Sequence, residues 1–394
     1  MAPGTEQETP QSAGTPAQDA DTGPRRVRVR FTGTGGEYFR IWIVNLFLTV
    51  VTLGVYSAWA KVRKLQYFYR NTQLDGSAFD FHGRPLAILK GRIIAVVLVI
   101  AYKLSERMLG PYALLALLAL IAVLPWLLTQ SYRFRLHNSS FRGLRFRFSG
   151  PVSHAYLIFG LPALVALTPG AMMVLGEVGD PRHPDPRFLV TIGLIYLVLM
   201  LFGPYLHFLF KRWQHGNASY GTARASFGAR AWDFYSSYLL VALIMLGAAL
   251  LAAALGGVFG VAAVRHDPSP RGMGGAVFVG LFTFYGAMIA VAPFLMARIQ
   301  NTVWSATRLG EVAFSSSVGA WRLIGITLTN LLMIVFSLGL LIPFAVIRSM
   351  KYRIEAVEVQ NAGELAGVGR GSGDDNVGTT GEGAMDVMDL DFGL

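Results

Sequence analysis

The chain has 394 residues, 53% of them hydrophobic and only 14% charged, with a formal net charge of +11 and no cysteine. Globular proteins carry roughly a quarter charged residues, so this composition belongs to a membrane protein, and the missing cysteines exclude disulfides, thiolate metal sites, iron–sulfur clusters and cysteine nucleophiles. The charge is uneven: residues 1–24 carry four acids and no Lys or Arg, residues 361–394 carry seven acids and one Arg, and the body between sets 33 basic residues against 12 acidic ones.

The first 26 residues are rich in Pro, Gly, Thr and Gln and lack a basic start followed by an apolar run. They read as a disordered tail and not as a signal peptide. Residues 27–360 read as a transmembrane domain, and 361–394 as a second disordered, acidic tail. A helix needs about 20 apolar residues to cross a bilayer core of about 30 Å. Six segments qualify, at about 86–104, 110–131, 153–176, 188–210, 234–262 and 275–298. They pair into three hairpins. The loops within hairpins mix charges and are rich in Gly and Pro, whereas the segments between hairpins are basic, RFRLHNSSFRGLRFRF (Arg133 to Phe148) above all. The positive-inside rule puts those basic segments in the cytoplasm.

The basic segments resemble one another. NTQLDGSAFDFHG from Asn71 and NSSFRGLRFRFSG from Asn138 share Gly, aromatic and Gly positions; NASYGTARASFGA from Asn217 follows with a shifted Gly, and the segment from Asn301 fits only with a three-residue insertion. RVRFTG at 28–33 matches the second half of the motif. Period-two alternation bounded by glycines predicts short strands with tight turns. The predicted organisation is five units, at about 27–72, 73–137, 138–216, 217–300 and 301–360. The fold class expected is an all-α polytopic membrane protein, its helical-hairpin repeats joined by short cytoplasmic β-like motifs.

Two apolar segments, 39–60 and 320–347, are harder to place. NLFLTVVTLGVYSAWAKVRKLQY (Asn45 to Tyr67) and NLLMIVFSLGLLIPFAVIRSMKY (Asn330 to Tyr352) match at Asn45/Asn330, Gly54/Gly339, Ala60/Ala345, Arg63/Arg348 and Tyr67/Tyr352. Basic residues flank both sides of each. Re-entrant or short hairpins turning at Gly54 and Gly339 resolve that conflict, because Gly permits the turn, and they place both termini in the cytoplasm. The alternative is two simple spans, eight in all, with external termini.

The string FTGTGGEYFRIWIVNLFLTVVTLGVYSAWAKVRKLQYFYRNTQLDGSAFDFHG, and TLGVYSAWAKVRKLQYFYRNTQLDG within it, resembles the YjgN-like family of bacterial inner-membrane proteins, a domain of unknown function. The resemblance extends over about residues 27–360 and departs at Ser57-Ala58, where the family pattern has Pro before the tryptophan. It implies a bacterial, multi-span inner-membrane protein and brings no substrate, cofactor or catalytic residue.

The seven histidines form no HExxH or His/carboxylate cluster, and no P-loop or G-x-S-x-G is present. Neither a metal, a cofactor nor an enzymatic activity is expected. Polar residues within the apolar segments reduce chiefly to Asn45 and Asn330, read as interhelical hydrogen-bonding groups or as the lining of a pathway. Lys61, Arg63, Lys64, Arg133, Arg135, Lys211, Arg212, Arg348 and Lys351 sit where helices meet the cytoplasm, and are candidate contacts for anionic lipid headgroups or a partner protein. The acidic C-terminal tail is a candidate docking segment; nucleic acid is not expected as a partner. Two functions fit: a passage or carrier for a small solute or lipid built at a repeat interface, and a non-transporting scaffold that binds anionic lipid or a protein through its basic belt.

Overall fold

The computed structural model describes residues 26–174, 185–266 and 270–368. Both predicted tails lie largely outside them, and so does most of the loop 176–187.

Four short β-hairpins alternate with helix pairs along the chain. The strands are β1 (Arg26–Arg28), β2 (Arg30–Phe31), β3 (Thr72–Leu74), β4 (Ser77–Phe81), β5 (Ser139–Phe141), β6 (Leu144–Phe148), β7 (Ala218–Tyr220), β8 (Ala223–Phe227), β9 (Thr307–Leu309), β10 (Val312–Ser316) and β11 (Val357–Gln360). Each hairpin closes over two residues: Asp75-Gly76, Arg142-Gly143, Gly221-Thr222 and Gly310-Glu311. In the first two turns both residues have positive φ, 49° and 74° then 46° and 79°. These primed turns match the twist of the strands they join, and the second position wants Gly.

The strands do not stay as separate local motifs. All eleven join one antiparallel sheet in the order β1-β11-β10-β9-β8-β7-β6-β5-β4-β3-β2. Its two edges, β1 and β2, are halves of a single N-terminal stretch interrupted only at Val29. Arg26–Arg28 pairs with Glu358–Gln360 on one side, and Arg30–Phe31 pairs with Thr72–Gln73 on the other. Val29 itself donates to the Val357 carbonyl at 3.1 Å. The sheet thus closes on itself as a small barrel, so the expectation of an all-α protein is wrong. Local periodicity found the strands, but closure joins residues more than 300 positions apart. An isolated two-stranded hairpin is marginal in water, and closure leaves no open edge.

Alternation decides which way each side chain faces. In LRFRF (144–148), Leu144 and Phe146 pack inward while Arg145 and Arg147 alternate with them. The barrel core is Leu74, Phe141, Tyr220, Leu309, Val312 and Val359, with Phe79, Phe146 and Phe314 against it. Burying each such side chain contributes about 1.5–3 kcal/mol. The C-terminal 3₁₀ turn Ala362–Ala366 adds Ala362 and Leu365 to this core. Residues 361–368 therefore belong to the folded body, not to the tail the sequence assigned them to. Outside, Arg28 pairs with Glu358 at 2.6 Å, directly across β1 and β11, and Arg142 reaches Asp75 of the neighbouring turn at 3.0 Å.

Between the strands run α1 (Gly35–Val51), α2 (Ser57–Arg70), α3 (Pro85–Leu109), α4 (Ala113–His137), α5 (Val152–Ala155) continuing through a π-helical turn into α6 (Leu161–Val174), α7 (Pro186–Gly216), α8 (Ala231–His266), α9 (Pro270–Ser305), α10 (Ala320–Phe336) and α11 (Ile342–Glu355). Each returning helix reaches the sheet through the same bond. Thr32 donates to the Asn71 carbonyl, His82 to Asn138, Ser149 to Asn217, Gly228 to Ala306 and Ser317 to Ala356, at 2.8–3.1 Å. Asn71, Asn138 and Asn217 also return their amides to the carbonyl four residues back, at 2.8–2.9 Å, tying off the helix end. The fourth junction residue is Ala306, not Asn301. Asn301 lies a turn earlier and holds Ser316 and Val318 instead, which explains why the sequence alignment needed an insertion.

After β2, β4 and β6 the chain reads Phe-x-Gly, at Phe31/Gly33, Phe81/Gly83 and Phe148/Gly150. In each the ring covers the glycine, leaving no room for a Cβ. Overpacking a filled site costs about 1–3 kcal/mol, so Gly83→Ala, under the fully buried Phe81, is expected to lower Tm by several degrees in detergent. Gly36→Ala, with open space around it, should leave Tm unchanged or raise it. Ring closure has its own check, aided by the absence of native cysteine. Arg28→Cys with Glu358→Cys should oxidise to a cross-link that shifts gel mobility and disappears with reductant. Failure of that pair to form would contradict the β1–β11 register.

Candidate functional site

Six helical segments among the described residues are long and apolar enough to cross a membrane, from Pro85–Ser105 to Val277–Ser305. No more than 28% of any of their apolar windows is buried. Leu197, Leu201, Phe202, Leu246, Phe278 and Phe282 are all exposed. These helices present apolar surface outward along most of their length, as lipid-facing helices do. α8 and α9 meet closely through small residues, and a Cβ on Gly280 would meet the Ala252 carbonyl at 3.3 Å. Beside that contact lies an open, apolar groove of about 790 Å³ lined by Ala249, Ala252, Gly256, Gly257, Gly260 and Phe284.

The two Gly-centred segments form short helical hairpins, α1–α2 and α10–α11. Both turns use a positive φ at consecutive residues, Leu53 and Gly54, then Leu338 and Gly339. Gly54 donates to Thr49 O at 2.7 Å, and Gly339 to Ile334 O at 2.8 Å. Thr52 Oγ1 accepts from Tyr56 N, as Ser337 Oγ accepts from Leu341 N. The turns satisfy their own backbone and leave Leu53 and Leu338 almost fully exposed, at 95% and 97%. A matching clasp closes each base: the Tyr67 hydroxyl accepts from Thr34 N at 2.8 Å, and the Tyr352 hydroxyl accepts from Gly319 N at 2.9 Å. Burial pushes the Tyr67 phenol up to about 12; Glu37 adds to the rise and Thr34 opposes it.

Asn45 and Asn330 occupy matching places but bond differently. Asn330 Nδ2 donates to Ala345 O at 3.0 Å and Ser349 Oγ at 2.9 Å, clamping α10 to α11. Asn45 is equally buried, yet its side-chain oxygen has no hydrogen-bond partner. The positions facing it across its own hairpin by that match are Ala60 and Lys64, without the serine. Among the described residues no hydrogen bond joins the two asparagines, and each lies within its own hairpin.

The nine basic residues read from the sequence divide in two. Arg63, Lys64, Arg212, Arg348 and Lys351 are exposed, whereas Lys61, Arg133, Arg135 and Lys211 are partly covered. Arg348 donates to Thr329 Oγ1 at 2.8 Å, and Arg133 to Gly150 O at 3.3 Å. Nearby, Asp80 takes a bond from Arg70 at 2.9 Å. Burial works against its charge, but Arg70, the Phe81 amide and His82 together hold its carboxyl below the ordinary value.

A polar cluster that the sequence did not reveal lies where α7, α9 and α11 meet the barrel. Lys211 donates to Gln214 Oε1 at 2.9 Å and rests over the Phe210 ring at 5.2 Å. Arg353 Nε donates to Gln300 Oε1 at 2.7 Å, and Gln300 Nε2 returns a bond to Arg353 O at 2.9 Å. His215 Nδ1 meets Thr307 Oγ1 at 3.2 Å. Burial draws the Arg353 guanidinium below its usual value. Gln214, Gln300 and Arg353 come from three separate stretches of chain, and each alone reads as an ordinary helix-end residue. The one local signal is the Lys211/Gln214 spacing, which puts both on one helix face.

A family model described as "Bacterial protein of unknown function (DUF898)" matches residues 26–387. The Inner membrane protein YjgN of Salmonella typhimurium is 24% identical over 356 residues, 84% of this chain and 87% of that protein. The Inner membrane protein YjgN of Escherichia coli O157:H7 is 26% identical over 205 residues, 49% of this chain and 50% of that relative. No solved structure matches the chain. With the family model spanning nearly all of the barrel and its helices, the chain belongs to the DUF898 family of bacterial proteins of unknown function.

Proposed function

We propose that the protein is a multi-pass inner-membrane scaffold that gathers anionic lipid around its cytoplasmic barrel, and does not conduct solutes along its axis. The observation that carries this reading is the filled barrel. Its interior is occupied by Leu74, Phe141, Tyr220, Val312 and Val359, with Leu365 packed in the same cluster. An axial passage would have to displace close-packed aromatic and aliphatic side chains. The exposed basic residues sit in a ring at the helix bases, where each Lys or Arg near an anionic surface contributes about 1 kcal/mol.

The repeat reading belongs here too. Each unit is a strand pair with an outward and a returning helix, the first and last being truncated. α1, with 17 residues, is about 25 Å long at 1.5 Å per residue, and its tip is apolar and backbone-satisfied. Such a hairpin enters the bilayer and turns back inside it. Both ends of the described chain, Arg26 and the Ala362–Ala366 turn, lie at the barrel, and the basic barrel belongs in the cytoplasm by the positive-inside rule.

Topology is checked by cysteine labelling of spheroplasts with a membrane-impermeant maleimide. Ser12→Cys and Ser372→Cys should stay unlabelled, Tyr112→Cys at the far end of α3–α4 should label, and Leu53→Cys and Leu338→Cys should not. External labelling of either terminus would overturn the orientation, and labelling of the two tips would overturn the re-entrant hairpins. Lipid gathering is checked by native mass spectrometry of protein extracted from mixed phosphatidylglycerol and phosphatidylethanolamine bilayers. Phosphatidylglycerol should be enriched, and the combined Arg63→Gln, Lys64→Gln, Arg212→Gln and Lys351→Gln substitutions should remove most of the enrichment. Solute flux in proteoliposomes above that of empty vesicles would count against the scaffold reading.

A further inference from the structure

We propose that Lys211 and Arg353 form a binding site for a phosphate group beneath the barrel, separate from the exposed basic ring. Both are partly covered. The His215 and Trp304 rings meet at 5.7 Å where α7 packs on α9, and one helical turn before them stand Lys211 and Gln300, so Lys211 lies on the side of α7 that faces the amide holding Arg353. Two like charges brought together away from bulk water repel, and each loses hydration. Proteins usually answer this with a carboxylate. Among the described residues none forms an ion pair with either cation, and the nearest acid along the chain, Glu355, faces Lys351 at 4.0 Å and the Phe31 amide at 3.5 Å.

What the cations have are neutral amides. Gln214 takes one proton of the Lys211 ammonium, leaving two of its three donors. Gln300 grips Arg353 at both Nε and its own carbonyl, which fixes the guanidinium plane and leaves the two terminal nitrogens without a hydrogen-bond partner among the described residues. Gln300 is itself buried and is steadied by Ser316 Oγ at 3.5 Å. The result is an oriented fork plus a point charge, both with donors to spare. That combination suits a tetrahedral, multiply charged oxyanion: Arg gives paired N–H groups in one plane, and Lys gives a compact charge from another side. The same chemistry serves a free phosphate and the phosphodiester of a lipid headgroup.

The test uses the full chain in an uncharged detergent. Equilibrium dialysis against radiolabelled inorganic phosphate should show saturable binding, weakened about tenfold or more by Lys211→Met or Arg353→Met and by less than about twofold by Lys351→Met, an exposed control. In a second arm the protein is extracted from phosphatidylcholine bilayers containing a minor fraction of phosphatidylglycerol, and retained lipid is measured. Phosphate binding identifies a free-phosphate site. Phosphatidylglycerol retention lost in both methionine variants, without phosphate binding, identifies a headgroup site. Absence of both, or binding unchanged in both variants, would overturn the proposal. Should a methionine variant fail to fold, Lys211→Arg and Arg353→Lys keep the charges and should keep most of the binding; folded variants of this kind that bind nothing would also count against it. The ring and this site are separable, because the four Gln substitutions above leave Lys211 and Arg353 intact.

Discussion

One piece of main chain, Arg26–Phe31, governs the architecture because it is paired on both sides. Its first half completes β11 and its second half completes β3. Without it the sheet would present two unpaired edges, each a row of free amides and carbonyls open to association. With it the ring closes, and closure brings the first and last helical hairpins together. α1 packs against α11, Phe39 meets Phe344 at 6.0 Å, and the Phe344 ring fills the space that a Cβ on Gly35 would need. The shared matches between Asn45–Tyr67 and Asn330–Tyr352 therefore describe neighbours in space, although they stand at opposite ends of the chain.

Closure also fixes what the rest can do. The strands alternate inward and outward, and the inward side chains, Phe141, Tyr220 and Val312 among them, fill the ring. The returning helices join that ring at their bases through the five junction bonds, and helices pack on chain neighbours across the hairpins too, α7 on α8 and α9 on α10. α8 with α9 is the closest pair. The chemistry of the molecule therefore sits at the base, where basic residues, helix ends and barrel meet.

Much of this was legible in the sequence, and the failures have particular causes. Apolar length found the long spans. Period-two stretches between glycines found the strands other than β11, and the Asn-to-Gly spacing found three of the hairpins. The fourth was misaligned because Asn301 mimicked a junction asparagine while Ala306 held the place by backbone alone. A junction made of a carbonyl leaves no mark on residue identity. Closure was invisible for a related reason: pairing Val27 with Val359 is main-chain chemistry across nearly the whole chain, and β11, at the end of the predicted transmembrane domain, was not read as a strand. The cluster at Lys211 stayed hidden because its members come from α7, α9 and α11, and only the fold brings them together.

The five returning helices each end in the same junction bond, and at matching offsets before it their residues differ in chemistry. Six residues before each junction residue stand Leu65, Tyr132, Lys211, Gln300 and Met350; three before stand Phe68, Arg135, Gln214, Val303 and Arg353. Leu65, Tyr132, Phe68 and Val303 are buried as ordinary core. A fold that needed only packing at these places could have used such residues throughout, since a buried charge replaced by a well-packed apolar group is often neutral or stabilising. Instead α7, α9 and α11 carry two cations and the two glutamines that orient them. Lys and Arg at an interface normally extend their heads into water along flexible stems; Gln214 and Gln300 work against that freedom by holding the heads at the base. Orientation of this kind adds little to packing, and it gains value when a third, anionic group enters between the two cations. The departure from plain packing at these offsets thus gathers on α7, α9 and α11, with Arg135 of α4 the further charged member.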